Sequence, residues 1–118
     1  MTHEQDARIS QVLHPVADVA AAVDFYGKAF GFSVAFTDAD RYAALDAGPI
    51  KLALAGPAED VTGGEPAASI KVADVRAAVD AFVAAGGSVV RAPEQGPHEL
   101  RAVMRDPWGN PIVVYGRT

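Results

Sequence analysis

Few residues in this sequence are equipped for chemistry. There are three histidines, His3, His14 and His98, and no cysteine. Disulfides, thiolate metal sites and cysteine nucleophiles are therefore excluded together, and a metal could be held only by His, Asp, Glu or Gln. His98 is followed directly by Glu99 in the loop PEQGPHEL. Such a pair could exchange protons at a pocket rim, and it equally suits a solvated loop. Gln11 stands three residues before His14. Strand alternation sends Gln11 and Leu13 to one face and Val12, His14 and Val16 to the other, so His14 is expected to pack toward a helix. Trp108, the only tryptophan, sits in the turn DPWGN. Its ring could stack on a planar ligand, cover the end of a sheet or pack at a subunit contact.

These side chains need a frame, and composition bounds it. At 118 residues, half of them hydrophobic and a fifth charged, the chain is long enough for one globular domain over 1–118. Only the opening MTHEQDA reads as a loose tail. Fifteen acidic against ten basic side chains give a net charge of −5, which opposes binding to nucleic acid or anionic lipid. No apolar stretch approaches the roughly 20 residues needed to cross a bilayer, and no charged-then-apolar leader opens the chain, so a cytoplasmic location is expected.

The frame itself is a repeat. VADVAAAVDFYGKAFGFSV from Val16 matches VADVRAAVDAFVAAGGSVV from Val72 without a gap, with eleven of nineteen residues identical at an offset of 56. In each copy an extended segment runs into an aspartate, Asp18 or Asp74, whose carboxylate can cap the first helical turn. Val19, Ala22, Val23, Tyr26 and Phe30, and then Val75, Ala78, Val79 and Phe82, recur at helical spacing and mark core faces. Gly31 and Gly86-Gly87 end the helices. Strand-like runs follow at 32–36, 41–46 and 50–55, then at 88–91, 100–105 and 111–115. The organisation is thus a βαβββ module over 8–55, a Gly/Pro/acidic linker over 56–66 and a second βαβββ module over 67–116. The fold class is α+β, with two modules combining mixed sheets around a concave cleft.

VADVAAAVDFYGKAFGF and DPWGNPIVVY, residues 106–115, resemble the vicinal oxygen chelate superfamily of glyoxalase I, extradiol dioxygenases, fosfomycin-modifying enzymes and bleomycin-resistance proteins. The resemblance runs from about residue 9 to 115. It implies four metal ligands, from the first and last strand of each copy. Gln11 lies seven residues before Asp18, where the family carries His or Gln, and the repeat offset gives Ala67 as its counterpart. Aligning Pro49-Ile50-Lys51 with Pro111-Ile112-Val113 puts Lys51 and Val113 where the family has glutamates. The set Gln11, Lys51, Ala67 and Val113 offers one lone-pair donor and an ammonium that repels a cation. No metal and no other cofactor is expected.

Without a metal, the cleft implied by the fold is mostly apolar, lined by Leu13, Ala53, Ala67, Val113 and Tyr115, with Gln11, Ser69, Lys51 and Lys71 as polar points. Lys51 and Lys71 could hold a carboxylate or phenolate, or lie along the sheet with their heads in water. The acidic balance instead favours cationic ligands of the bleomycin type. The leading expectation is a non-catalytic homodimer that sequesters an antibiotic or planar metabolite. A metal-free lyase or isomerase using Lys51, His98 or Glu99 is the alternative. Behind these stand a metal-dependent glyoxalase- or dioxygenase-like enzyme and an orphan domain acting through partner contacts.

Overall fold

Asp18 and Asp74 both adopt extended backbone, and their carboxylates accept from the N–H groups of Ala21 at 2.9 Å and Ala77 at 3.0 Å. They start helices α1, Val19–Phe30, and α2, Val75–Ala84. Gly31 closes α1 at φ 74°, a left-handed conformation that favours glycine, and its N–H donates to the Gly27 carbonyl. α2 ends two residues earlier in its copy, with Ala85 still right-handed and Gly86 taking the positive φ.

This computed structural model describes residues 7–118. The tail expected at MTHEQDA, with His3, lies outside them except for Ala7. The strands are β1 (Arg8–Pro15), β2 (Ser33–Asp38), β3 (Tyr42–Asp46), β4 (Lys51–Ala55), β5 (Ala67–Lys71), β6 (Ser88–Gln95), β7 (Leu100–Arg105) and β8 (Pro111–Gly116). The fold is α+β, two βαβββ modules with mixed sheets, as the repeat predicts. No helix among the described residues is long and apolar enough to cross a membrane.

Two compact units divide the chain. The first, Gln11–Pro66, has strand order β2-β3-β4-β1, with β1 parallel to β4 and the other pairs antiparallel. α1 covers β3 and β4, burying Leu45, Leu52 and Leu54 against Val23, Tyr26 and Phe32. His14 lies on this helix side, its ring edge-on to Tyr26 at 6.5 Å between centroids. The second unit, Ala67–Thr118 with residues 7–10, has order β5-β8-β7-β6, with β5 parallel to β8. Its core is Val75, Val79, Leu100, Ala102, Met104 and Val114. The start of β1 groups with the second unit, where the Ser10 and Tyr115 hydroxyls hydrogen-bond.

The parallel ladders fix which residues of the two last strands correspond. The Val16 N–H donates to the Ala55 carbonyl at 2.8 Å, and its repeat partner Val72 donates to the Tyr115 carbonyl at 2.9 Å. Ala55 thus matches Tyr115, Ala53 matches Val113, and Lys51 matches Pro111. The Pro-Ile alignment is out of step with this register. Pro49 and Ile50 belong to the turn before β4, whereas Pro111 and Ile112 already lie in β8. Gly56, just past β4, and Gly116, the last residue of β8, occupy matching places beside Val19 and Val75.

The linker is more structured than its composition suggests. It contains a 3-10 turn at Pro57–Glu59 and buries Glu59, Val61 and Thr62. The Glu59 carboxylate pairs with the Arg41 guanidinium, and the Thr62 hydroxyl donates to the Glu65 carbonyl at 2.6 Å. The ion pair raises the pKa of Arg41, through the hydrogen bond first and the charge of Glu59 second.

Candidate functional site

Ladder partners share a sheet face, so the registers assign every strand residue to the helix side or the opposite side. In the first unit the side opposite α1 carries Gln11, Lys51 and Asp46 in one row, and Leu13, Ala53, Ala44 and Phe36 in the next. A third row holds Ala55, Tyr42 and Asp38. The Tyr42 hydroxyl donates to Gln11 Oε1 at 3.4 Å, which takes the phenol ring over the small side chains between those rows. Ala44 and Ala53 beneath it are 5% and 0% exposed. Lys51 Nζ lies 3.2 Å from Asp46 Oδ1, with both side chains about half exposed. The expected residues Gln11, Leu13, Lys51 and Ala53 are therefore brought together. Tyr42 and Asp46, which hold two of them, were missed. Alternation within 42–46 gives their side, but only the register gives their neighbours.

In the second unit the side opposite α2 carries Ala67, Ser69 and Lys71 on β5, Val113 and Tyr115 on β8, and Val103 and Arg101 on β7. Lys71, Tyr115 and Arg101 form one row across three strands. Ser69 pairs with Val113, is 1% exposed, and its hydroxyl has no hydrogen-bond partner among the described residues. Burying a hydroxyl without a partner costs about 1–3 kcal/mol, which an acceptor reaching it would recover. Ala67 and Val113 are buried, Tyr115 is half-buried and Lys71 is exposed. Within each unit the expected lining residues divide by exposure: Leu13 and Ala53, and Ala67, Ser69 and Val113, are buried, while Gln11 and Lys51, and Lys71 and Tyr115, are more accessible.

The chelating positions can now be tested against this register. Replacing Lys51 by Ala53 as the match of Val113 gives Gln11, Ala53, Ala67 and Val113. Only Gln11 has a lone pair to give, and its amide oxygen already accepts from Tyr42. Lys51 leaves the set and is neutralised by Asp46. No group of three or more His, Cys, Asp or Glu side chains among the described residues could hold a metal ion. These donors do not fit the chelated metal that the resemblance implies.

His98 and Glu99 fall in the turn between β6 and β7, where the Glu99 carbonyl accepts from the Gly96 N–H at 2.7 Å. His98 is exposed and Glu99 half-buried. Trp108 is 83% exposed at the tip of its turn, so it does not cover the sheet end. Asp106 builds that turn, its carboxylate accepting from the Trp108 N–H at 3.0 Å, the Asn110 N–H at 2.8 Å and Asn110 Nδ2 at 3.0 Å. The Asn110 side chain first, and its backbone N–H second, hold the pKa of Asp106 below the ordinary carboxylate value. A depressed carboxylate stabilises the fold above its unfolded pKa of about 3.9, and that contribution fades as the pH falls through the lower folded value. Below pH 4 the wild type should therefore lose melting temperature faster than Asp106→Asn. Parallel melting profiles that stay equally spaced from pH 6 to pH 2 would contradict this.

The family model for the Glyoxalase/Bleomycin resistance protein/Dioxygenase superfamily matches residues 8–114. An uncharacterized protein of Mycolicibacterium smegmatis is 37% identical over 110 residues, 93% of this chain and 94% of that protein. Among solved structures, a Legionella pneumophila NAD-dependent benzaldehyde dehydrogenase superposes with a TM-score of 0.78 at 17% identity, covering 92% of this chain and 98% of that one. A Streptomyces coelicolor methylmalonyl-CoA epimerase bound to 2-nitronate-propionyl-CoA gives 0.74 at 22% identity, covering 94% and 97%. At such identities the two structures establish a shared fold.

Proposed function

The chain belongs to the glyoxalase/bleomycin resistance protein/dioxygenase superfamily, and from that premise we propose that it binds and sequesters a small molecule, an antibiotic or planar metabolite, without the chelated metal. One observation carries this reading. The strand register supports it by matching Gln11, Ala53, Ala67 and Val113, an amide and three hydrocarbon side chains, to the chelating positions that the resemblance implies. What those positions still offer is an apolar floor with polar groups beside it, the ordinary make-up of a ligand site. Lys51, its Nζ 3.2 Å from Asp46 Oδ1, is one of those polar groups and is exposed enough to meet a ligand. The protein acts as a cytoplasmic homodimer on this reading. β2, at one edge of the first unit's sheet, and β6, at one edge of the second unit's, expose Val34, Phe36, Val89 and Val90, apolar surface that a twofold contact would cover.

The test combines elemental analysis with calorimetric titration of bleomycin and of salicylate, a cationic and an anionic aromatic probe. The expected result is no stoichiometric divalent metal, saturable binding of one probe, and at least about a tenfold loss of that binding in Lys51→Ala or Ala53→Phe, equivalent to about 1.4 kcal/mol. Lys51 is exposed, so its variant should remain folded if the buried Ala53 does not tolerate phenylalanine. A stoichiometric transition ion, with turnover abolished by a chelator, would overturn the proposal, as would binding of neither probe.

A further inference from the structure

α2 packs over β6, β7 and β8, and β5 lies beyond the strands it covers. Ile70 of β5 points to the helix side, because its ladder partner Val114 belongs to the core beneath α2. It is nevertheless only half-buried. The uncovered strip is a cavity of about 480 Å³ along the flank of α2. β5 and β8 supply Ile70 and Val114 to its floor, and the helix supplies Ala77, Ala81 and Phe82 to its wall. Cavities of roughly 300–1,000 Å³ with apolar walls and few polar groups are the usual size for small organic ligands. This one lies on the opposite side of the second unit's sheet from Ser69 and Lys71.

We propose that this cavity is a second binding site, for a small apolar amine. The chemistry of the lining selects that class. Among the described residues Asp74 is its one ionisable side chain, and the rest is aliphatic or aromatic apart from backbone. Asp74 Oδ1 caps α2 through Ala77, while Oδ2 makes no hydrogen bond among the described residues and remains available to an ammonium. The net charge of −5 favours a cation over an anion at the protein surface. Alanines at 77 and 81 keep the wall open, since any larger side chain there would project into the volume. The site is independent of the metal-free face proposed above, and neither depends on the other.

Dansylcadaverine, an apolar fluorophore bearing an amine, is the probe, and dansyl-6-aminohexanoate is its anionic match. The wild-type chain should bind the amine saturably with enhanced, blue-shifted emission, and should favour it over the acid by about fivefold, the scale of one exposed charge pair. Asp74→Asn removes the charge and keeps a side chain that caps a helix equally well, so it should erase the preference while the circular dichroism stays unchanged. Ala77→Phe and Ala81→Phe should each weaken binding at least about tenfold. Ala77 is exposed, which keeps its variant interpretable if Ala81→Phe misfolds. Saturating salicylate should leave the dye bound, separating this site from the other. Equal affinity for both dyes, or an unchanged preference in Asp74→Asn, would overturn the proposal. So would unaltered dye binding in Ala77→Phe, including the case where that variant shifts the sedimentation coefficient and marks the strip as a contact between copies.

Discussion

Gly116→Ala is expected to destabilise the chain by about 3 kcal/mol, at the upper end of what overpacking costs. A Cβ at Gly116 would sit 2.4 Å from the Val72 carbonyl oxygen, a backbone atom that cannot rotate away. Relief would require β8 to separate from the turn that follows β5, where the Val72 N–H donates to the Tyr115 carbonyl at 2.9 Å. Gly56 supplies an internal control at the matching place in the first unit. Its added Cβ would meet the carbonyls of Asp40 and Arg41 at 3.1 and 3.2 Å, contacts that small shifts relieve. Gly56→Ala should therefore cost about 1 kcal/mol. Urea denaturation of the two variants measures the difference, and equal midpoints would show that the matching glycines are not packed as described.

Leu54→Ala and Met104→Ala should each cost about 2–5 kcal/mol, because both side chains are 0% exposed and their removal leaves a cavity under a helix. Leu54 is pressed by α1 and Met104 lies in the core beneath α2, so each variant weakens a different unit. Phe30→Ala is the contrasting case. Phe30 is larger than either, but it is 67% exposed, and its loss should stay within about 0.5 kcal/mol. A loss at Phe30 comparable to that at Leu54 would mean that the exposed rings of Phe25 and Phe30 are covered in solution.

Much of the frame was legible because it rests on local rules. Asp18 and Asp74 cap the helices as their positions in the repeat require, and alternation along β1 correctly sent His14 toward Tyr26. What local rules could not supply was register. The Pro-Ile identity near the last strands is a similarity of sequence, but in one copy it falls in a turn and in the other within a strand. Only hydrogen bonds between distant strands reveal that Ala53, rather than Lys51, stands opposite the role of Val113. The same limit hid Tyr42 behind Gln11 and Asp46 behind Lys51. Tyr42 and Gln11 sit on β3 and β1, strands that β4 separates in the sheet, and Asp46 and Lys51 face each other across the short turn from β3 to β4, whose register alternation alone does not set. The cavity beside α2 was out of reach for a different reason: helical periodicity gives the buried face of a helix, not the number of strands it is long and tilted enough to cover.

The exposure of Trp108 has a spectroscopic consequence. The only indole in the chain already stands in water at the tip of its turn, so its emission in the native state should be close in wavelength to that of a denatured chain. Unfolding would pass nearly unseen in tryptophan fluorescence while the far-ultraviolet signal collapses. For the same reason the indole is a sensitive reporter of anything that comes to rest on the turn, since desolvation by a visitor would shift a band that folding itself leaves in place.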